Sequence, residues 1–154
     1  MVKQLEKWDF ETTMESTAAS IFNIWEHLFK INYLSKFELS EEVEKGIRRA
    51  HKIDDIVFKR FIDWQDKPNY NDEICVNKFS KGKQNPCAYN FIITLLETYD
   101  YLLENYGTLE ARWGYVHRDA YKHTFSGTPL KPLFHLEHES DGNRRTVKYG
   151  LNHP

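Results

Sequence analysis

The feature that most constrains the fold is a long helical pattern between residues 85 and 107. Asn85 suits an N-terminal cap, Pro86 a first helical position, and Gly107 a C-terminal cap. Between these signals, apolar residues recur at the spacing of one helix face. Because such a face needs a partner layer, the helix must pack on further structure of this chain or of another. The predicted apolar face comprises Ala88, Phe91, Ile92, Leu95, Leu96, Tyr99, Leu102, Leu103 and Tyr106.

Two further helices are predicted before this one. The apolar residues from Ala18 to Phe29 follow helical spacing, which predicts a helix over about 16–33. Ser40 followed by two glutamates has the character of a helix start, and the apolar pattern beyond it predicts a helix over about 41–63. The polar segment 63–84 is interpreted as a long irregular connection. We favour the interpretation that it packs over a neighbouring part of the protein.

The texture of the sequence changes after Gly107. Proline and glycine become more frequent, and residues 145–149 alternate as a short strand would. These patterns predict an α+β fold that is helical through about residue 107 and carries short antiparallel strands or extended loops over 108–154. Residues 1–154 are expected to form one domain, or one fragment of a larger domain.

Composition narrows the range of partners and compartments. Lys and Arg number 21 against 23 Asp and Glu, which gives a formal net charge of -2. The sequence therefore lacks the excess of positive charge that is typical of proteins that bind nucleic acid or anionic membranes. The first residues lack the apolar core of a signal peptide, and no apolar run approaches the roughly 20 residues of a membrane-spanning helix. We therefore predict neither segment in this chain and leave the compartment open.

The two cysteines give no clear assignment. Cys75 and Cys87 form no CxxC pair, and neither lies in a His-Asp pattern that would indicate a nucleophile. The sequence leaves open whether a disulfide joins them.

Histidines gather in the last third of the sequence and raise the possibility of a metal site. The His135-x-x-His138 spacing differs from the HExxH pattern that aligns two imidazoles with a general base, and no cysteine pair supports it. We therefore predict no metal site and interpret His117 and His123 as structural side chains that hydrogen-bond to buried carbonyls or carboxylates. The possible ligands are His117, His123, His135, His138, Asp119, Glu137 and Glu139.

Several sequence blocks, in their order and spacing, resemble the penicillin acylase family of N-terminal nucleophile hydrolases, near the C-terminal end of the catalytic chain. The first is a Trp-Asp pair before a serine-rich cap and an amphipathic helix, and the second is a Trp-x-Asp-x-Pro segment before another helix. The third combines Trp-Gly-x-x-His, a second His and a glycine-bounded Thr-Val strand. The blocks are Trp8-Asp9 with Ser16 to Trp25, Trp64 to Pro68 with the helix after Pro86, and Trp113-Gly114, His117, His123, Asp141-Gly142 and Thr146-Val147.

This resemblance implies a fragment of a four-layer αββα sandwich whose reacting groups lie elsewhere. In that family the nucleophile is the first residue of a chain made by self-cleavage, and its own α-amino group, with a pKa of roughly 7.7–8, is the base. Met1-Val2 offers no such nucleophile, so we expect no catalytic residue among these positions. The family's oxyanion-hole Asn, its active-site Arg and its calcium ligands are expected outside the segment, so no cofactor is assigned and the substrate-binding residues stay unknown. The family's usual continuation beyond the Thr-Val strand is also expected but does not follow here.

The matched residues themselves are predicted to be scaffold. Trp113 could line a substrate pocket, but a large aromatic residue beside Gly114 more often anchors a core. Asp141-Gly142 is a turn signal. The predicted structural set is Trp113, Gly114, His117, His123, Asp141, Gly142 and Thr146.

Two functions follow from the resemblance. The chain is interpreted as the C-terminal segment of an amidohydrolase that cleaves a linear amide bond of an acylated small molecule, inert until joined to the rest. The alternative is a free-standing, non-catalytic structural or assembly subunit derived from that family. The partners are then the remainder of the hydrolase chain or other protein subunits.

Overall fold

The computed structural model describes residues 1–34, 40, 42, 81–82, 86–121, 124–143 and 146. These residues are mainly helical, with two short antiparallel strands in the last third. The chain divides into two compact units, one of Met1–Ile24 with Tyr99–Pro154 and the other of Trp25–Thr98. Within the described part, no helix is long and apolar enough to cross a bilayer. The helices are α1 (Val2–Glu6), α2 (Thr17–Leu34), α3 (Pro86–Tyr106), α4 (Trp113–Val116) and α5 (Lys131–Phe134).

Helix α2 confirms the helix predicted over 16–33. Its start is set by Ser16, whose Oγ accepts a hydrogen bond from the Ala19 amide at 3.1 Å and so satisfies one of the free amides of the first turn. Small and β-branched side chains at its N-terminal end are buried. The buried residues of this part are Ala18, Ala19, Ser20, Ile21 and Ile24.

Helix α3 begins at Pro86 and ends at Tyr106, the bounds expected from its sequence. Gly107 follows with φ of 69°, and its amide donates to the Leu103 carbonyl at 3.0 Å. Glycine adopts this left-handed conformation without steric cost, so Gly107 ends the helix as the sequence predicted.

The predicted apolar face of α3 is only partly correct. Ile92 and Leu96 are 60% and 55% exposed, and Tyr99 and Leu103 are also exposed. Asn90, Thr94 and Thr98 are buried instead, together with Leu102. The threonines tolerate burial because each hydroxyl donates to the carbonyl four residues earlier, from Thr94 to Asn90 at 2.7 Å and from Thr98 to Thr94 at 2.8 Å.

In the described part of the second unit, aromatic rings pack together. Phe91 stacks on Phe29 with ring centroids 5.0 Å apart and on Trp25 at 5.3 Å. The indole nitrogen of Trp25 also donates to the Phe91 carbonyl at 3.4 Å. Asn32 donates to the Glu97 carboxylate at 2.7 Å, so a polar contact accompanies the aromatic ones.

The first unit contains a β-hairpin. Strands β1 (Arg118–Tyr121) and β2 (Leu136–Glu139) pair antiparallel, with Arg118 opposite Glu139 and Asp119 opposite His138. Between them lie a 3-10 helix, Thr124–Gly127, and α5. These are short strands in the region where the sequence predicted them.

Some predictions fall on residues outside the described part. They are the helix over 41–63, nearly all of the 63–84 connection, the cap at Asn85, the strand over 145–149, both cysteine side chains and His123.

Candidate functional site

The Trp-Gly-x-x-His segment forms α4 and its C-terminal cap, and it is held against the segment that precedes α2. The Trp113 amide donates to the Ser16 carbonyl at 3.1 Å, and the Gly114 amide donates to the Met14 carbonyl at 2.9 Å. The first amides of a helix have no partner within it, so these two bonds satisfy donors that would otherwise be buried and unpaired. The N-terminal segment thus caps α4.

Trp113 anchors a third segment to this pair. Its side chain is buried, and its indole nitrogen donates to the Gly142 carbonyl at 2.6 Å. The Gly142 amide donates to the Thr12 carbonyl at 2.6 Å, and Gly142 has φ of 87°, a conformation that favours glycine. Asp141 adds a bond from the Met14 amide to its Oδ1 at 2.7 Å. The segments around residues 12–16, 113–117 and 140–143 therefore form one hydrogen-bonded cluster, here called the tryptophan cluster.

Gly114 is required by the closeness of this packing. A Cβ atom at this position would lie 2.7 Å from Cβ of Met14 and 2.9 Å from Cβ of Glu139. Both neighbours are side-chain atoms next to the backbone, which cannot move without shifting the chain. The small residue after Trp113 thus allows α4 to lie against two other segments.

His117 lies fully buried beside Trp113. The imidazole stacks on the indole with ring centroids 4.8 Å apart and an interplanar angle of 4°. Its Nδ1 lies 3.4 Å from the Ser140 carbonyl, which requires the tautomer with hydrogen on Nδ1 if the contact is a hydrogen bond. The His117 side chain thus contacts an aromatic ring and lies near a main-chain carbonyl.

Of the remaining matched residues, Thr146 is connected to the tryptophan cluster through Asn143. Thr146 Oγ1 accepts from the Asn143 amide at 2.8 Å, and the Asn143 side-chain amide donates to Asn23 Oδ1 at 3.0 Å. His123 lies outside the described residues. The structure thus brings together Trp113, Gly114, His117, Asp141 and Gly142, with Thr146 attached through Asn143.

The possible metal ligands of the hairpin occur as separate pairs. His138 Nε2 lies 3.8 Å from Asp119 Oδ2 across the strands, and His135 Nε2 lies 2.6 Å from Glu137 Oε1. Hydrogen bonding from His135 holds the pKa of Glu137 below its ordinary value. Adjacent positions of a strand face opposite sides, which separates these contacts. Among the described residues, no group of three or more His, Cys, Asp or Glu side chains could hold a metal ion.

Arg112, the residue before α4, forms two ion pairs. Arg112 Nη1 lies 2.7 Å from Glu15 Oε1, and its Nη2 lies 3.3 Å from Glu139 Oε1. The hydrogen bond with Glu15 and the nearby charge of Glu139 raise the pKa of Arg112 above its ordinary value. Sequence reasoning missed this network and the role of residues 12–15, because partners 27 and 97 positions apart leave no local pattern.

The hydroxyl groups near and beyond the cluster contact main-chain groups. Ser16 Oγ accepts from an amide, and Ser140 Oγ donates to the Asp141 carbonyl at 3.1 Å. A nucleophilic hydroxyl needs a base within hydrogen-bond reach. Other described hydroxyls with main-chain partners are Ser20, Thr94, Thr98, Thr108 and Thr128.

Comparison with known proteins places the chain in a family. A comparison with curated proteins gave no match, and neither did one with solved structures. The model of the family described as penicillin amidase matches residues 1–153. That match includes the whole tryptophan cluster and both described long helices, so the chain belongs to the penicillin amidase family.

Proposed function

We propose that this chain supplies scaffold to an acylase of the penicillin amidase type, an enzyme that hydrolyses the linear amide bond of an acylated small molecule. The observation that carries this proposal is the environment of His117. Its buried imidazole stacks on Trp113 and lies 3.4 Å from the Ser140 carbonyl, so it joins the α4 segment to the segment around residue 140. The reacting groups are proposed to lie outside these 154 positions, so that this chain alone is inactive.

The αββα sandwich of the N-terminal nucleophile hydrolases is proposed as the fold that the chain completes. In that arrangement the helices of this chain would buttress the sheets that hold the nucleophile, and residues 1–154 would act as one domain or fragment. The matched residues Trp113, Gly114, His117, His123, Asp141, Gly142 and Thr146 are proposed to be structural. A calcium site of the family type, if the enzyme has one, is proposed to lie outside this chain.

The exposed side of α3 supports a partner for this scaffold. Ile92, Leu96, Tyr99 and Leu103 recur at spacings of four, three and four residues, and all are exposed. An apolar stripe of this kind along a helix commonly marks a contact surface. We propose that the remainder of the hydrolase covers the stripe.

Capture from the natural source tests this proposal. A tagged form of the chain should retain a polypeptide with further penicillin amidase sequence, and the captured material should hydrolyse a chromogenic phenylacetyl amide. Ile92→Asp with Leu96→Asp should lower the captured amount by about tenfold or more, because the change places two charges in a buried contact. Val2→Asp, at an exposed apolar residue of α1, is the matched control and should leave capture unchanged.

The same stripe also favours the second candidate, a non-catalytic assembly subunit. If the stripe variant loses its partner but the captured complex has no amide hydrolase activity, the subunit function replaces the enzyme function. If the coding region upstream of Met1 continues in frame through a Gly-Ser or similar cleavage junction, the enzyme function is favoured. Capture that is unaffected by the stripe variant would contradict both.

A further inference from the structure

Three tyrosines and one arginine form a continuous surface in the first unit. Tyr101 and Tyr106 lie at the C-terminal end of α3, Tyr115 lies in α4, and Arg118 begins β1. The ring centroids of Tyr101 and Tyr106 are 6.2 Å apart, and those of Tyr106 and Tyr115 are 5.5 Å apart with an edge-on angle of 67°. The guanidinium carbon of Arg118 lies 5.2 Å from the Tyr115 ring centroid. We call these four residues the tyrosine–arginine patch.

The two glutamates that the hairpin register places beside Arg118 have their carboxylates in contact with other side chains. Glu139 is opposite Arg118 in the hairpin, but its carboxylate contacts Arg112 at 3.3 Å. Glu137 is diagonal to it, and its carboxylate lies 2.6 Å from His135. Among the described residues, no carboxylate forms an ion pair with Arg118. The charge of Arg118 helps to lower the pKa of Glu137, but its guanidinium lies over the Tyr115 ring and is not ion-paired to that carboxylate.

Tyr106 is a neutral phenol that feels the charge of Arg118. Burial and the neighbouring Tyr101, which is hydrogen-bonded to it, raise the pKa of Tyr106 to about 12, while Arg118 opposes the rise. Tyr106 consequently stays protonated throughout the physiological range. Tyr115 is 47% exposed, so the ring under Arg118 is open to a ligand.

We propose that the tyrosine–arginine patch binds an oxyanion, a carboxylate or a phosphate, carried on a group whose apolar part lies on the Tyr115 ring. A guanidinium group matches both anions with paired hydrogen bonds, and an aromatic ring beneath it orients the group. Binding at such an exposed site is expected in the millimolar range. Tyr115 lies in α4 together with Trp113, but the proposed binding does not depend on amide hydrolysis.

Titration of the whole ¹⁵N-labelled chain, followed by NMR at constant ionic strength, tests the site. Acetate, butanoate and inorganic phosphate are the probes. At least one probe should give saturable shifts of the Tyr115 and Arg118 signals. Whether a carboxylate or phosphate has the lower dissociation constant identifies the anion class. Butanoate should bind more tightly than acetate, because its propyl group reaches the ring. The absence of saturable shifts at these residues with all three probes would overturn the proposal.

Variants separate a built site from general charge attraction. Arg118→Gln should weaken binding at least about tenfold, because it removes a charge-assisted bond. Lys7→Gln removes one charge from an exposed residue outside the patch and should change the dissociation constant less than about twofold. Tyr115→Leu should weaken binding, whereas Tyr115→Phe keeps the ring and should retain most of it. Equal losses in the Arg118 and Lys7 variants, or unchanged binding in Tyr115→Leu, would overturn the proposal.

Discussion

At the scale of single residues, Gly114 decides whether α4 can pack against the chain before α2. Gly114→Ala should lower the free energy of unfolding by about 1–3 kcal/mol, because the added Cβ would lie 2.7 Å from Cβ of Met14. Gly127→Ala is the matched control, since a Cβ there meets nothing within 4 Å, and its cost should stay below about 0.5 kcal/mol. Urea unfolding of the two variants measures the difference. Equal stability would show that the segments are not packed this closely.

The Asp141 side chain joins the two ends of the first unit through a hydrogen bond. Its Oδ1 accepts from the Met14 amide at 2.7 Å. Asp141→Ala should cost about 1 kcal/mol of stability, and Asp141→Asn should cost less because an acceptor oxygen remains. Thermal unfolding monitored by circular dichroism distinguishes the two. A larger loss in the asparagine variant would mean that charge, not the hydrogen bond, matters.

At the scale of elements, α3 has one side that stabilises the fold and one that does not. Leu102 is fully buried and Leu96 is 55% exposed on the same helix. Leu102→Ala should lower the free energy of unfolding by about 2–5 kcal/mol, and Leu96→Ala by less than about 0.5 kcal/mol. Chemical denaturation of both variants checks this. Similar losses would place Leu96 in the core, as the sequence pattern predicted.

The hairpin carries a pH-dependent contact. Because hydrogen bonding from His135 lowers the pKa of Glu137, its carboxylate form is favoured in the folded state. The contribution to stability is therefore present above the ordinary value of 4.5 and is lost as pH falls through the lowered value. His135→Gln should raise the pKa of Glu137 toward that ordinary value, as followed by NMR titration. An unchanged pKa in this variant would exclude the contact.

The extent to which sequence predicted these elements follows from how local their causes are. The bounds of α2 and α3 were predictable because Ser16, Pro86 and Gly107 act on their own helices. The buried side of α3 was not, because threonine hydroxyls bonded to their own helix can be buried at little cost. The bonds of Thr12 with Gly142 and of Met14 with Asp141 join segments far apart in sequence, which periodicity cannot reveal.

At the scale of the whole molecule, membership of the penicillin amidase family and the exposed stripe on α3 fit one account. We propose that the chain contributes packed helices and the tryptophan cluster to a larger hydrolase, whose remaining protein contributes the nucleophile and covers the stripe. On this proposal His117 maintains structure. Substituting it should therefore lower stability, and it should remove no activity, because the chain alone has none.

The most direct test is the hydrolysis of a chromogenic phenylacetyl amide by the purified chain alone. We expect the rate to equal that of buffer, both for the natural sequence and for His117→Gln, with circular dichroism reporting that each protein is folded. Turnover by the natural chain that disappears in a folded His117→Gln variant would contradict the account, because the imidazole would then belong to an active site.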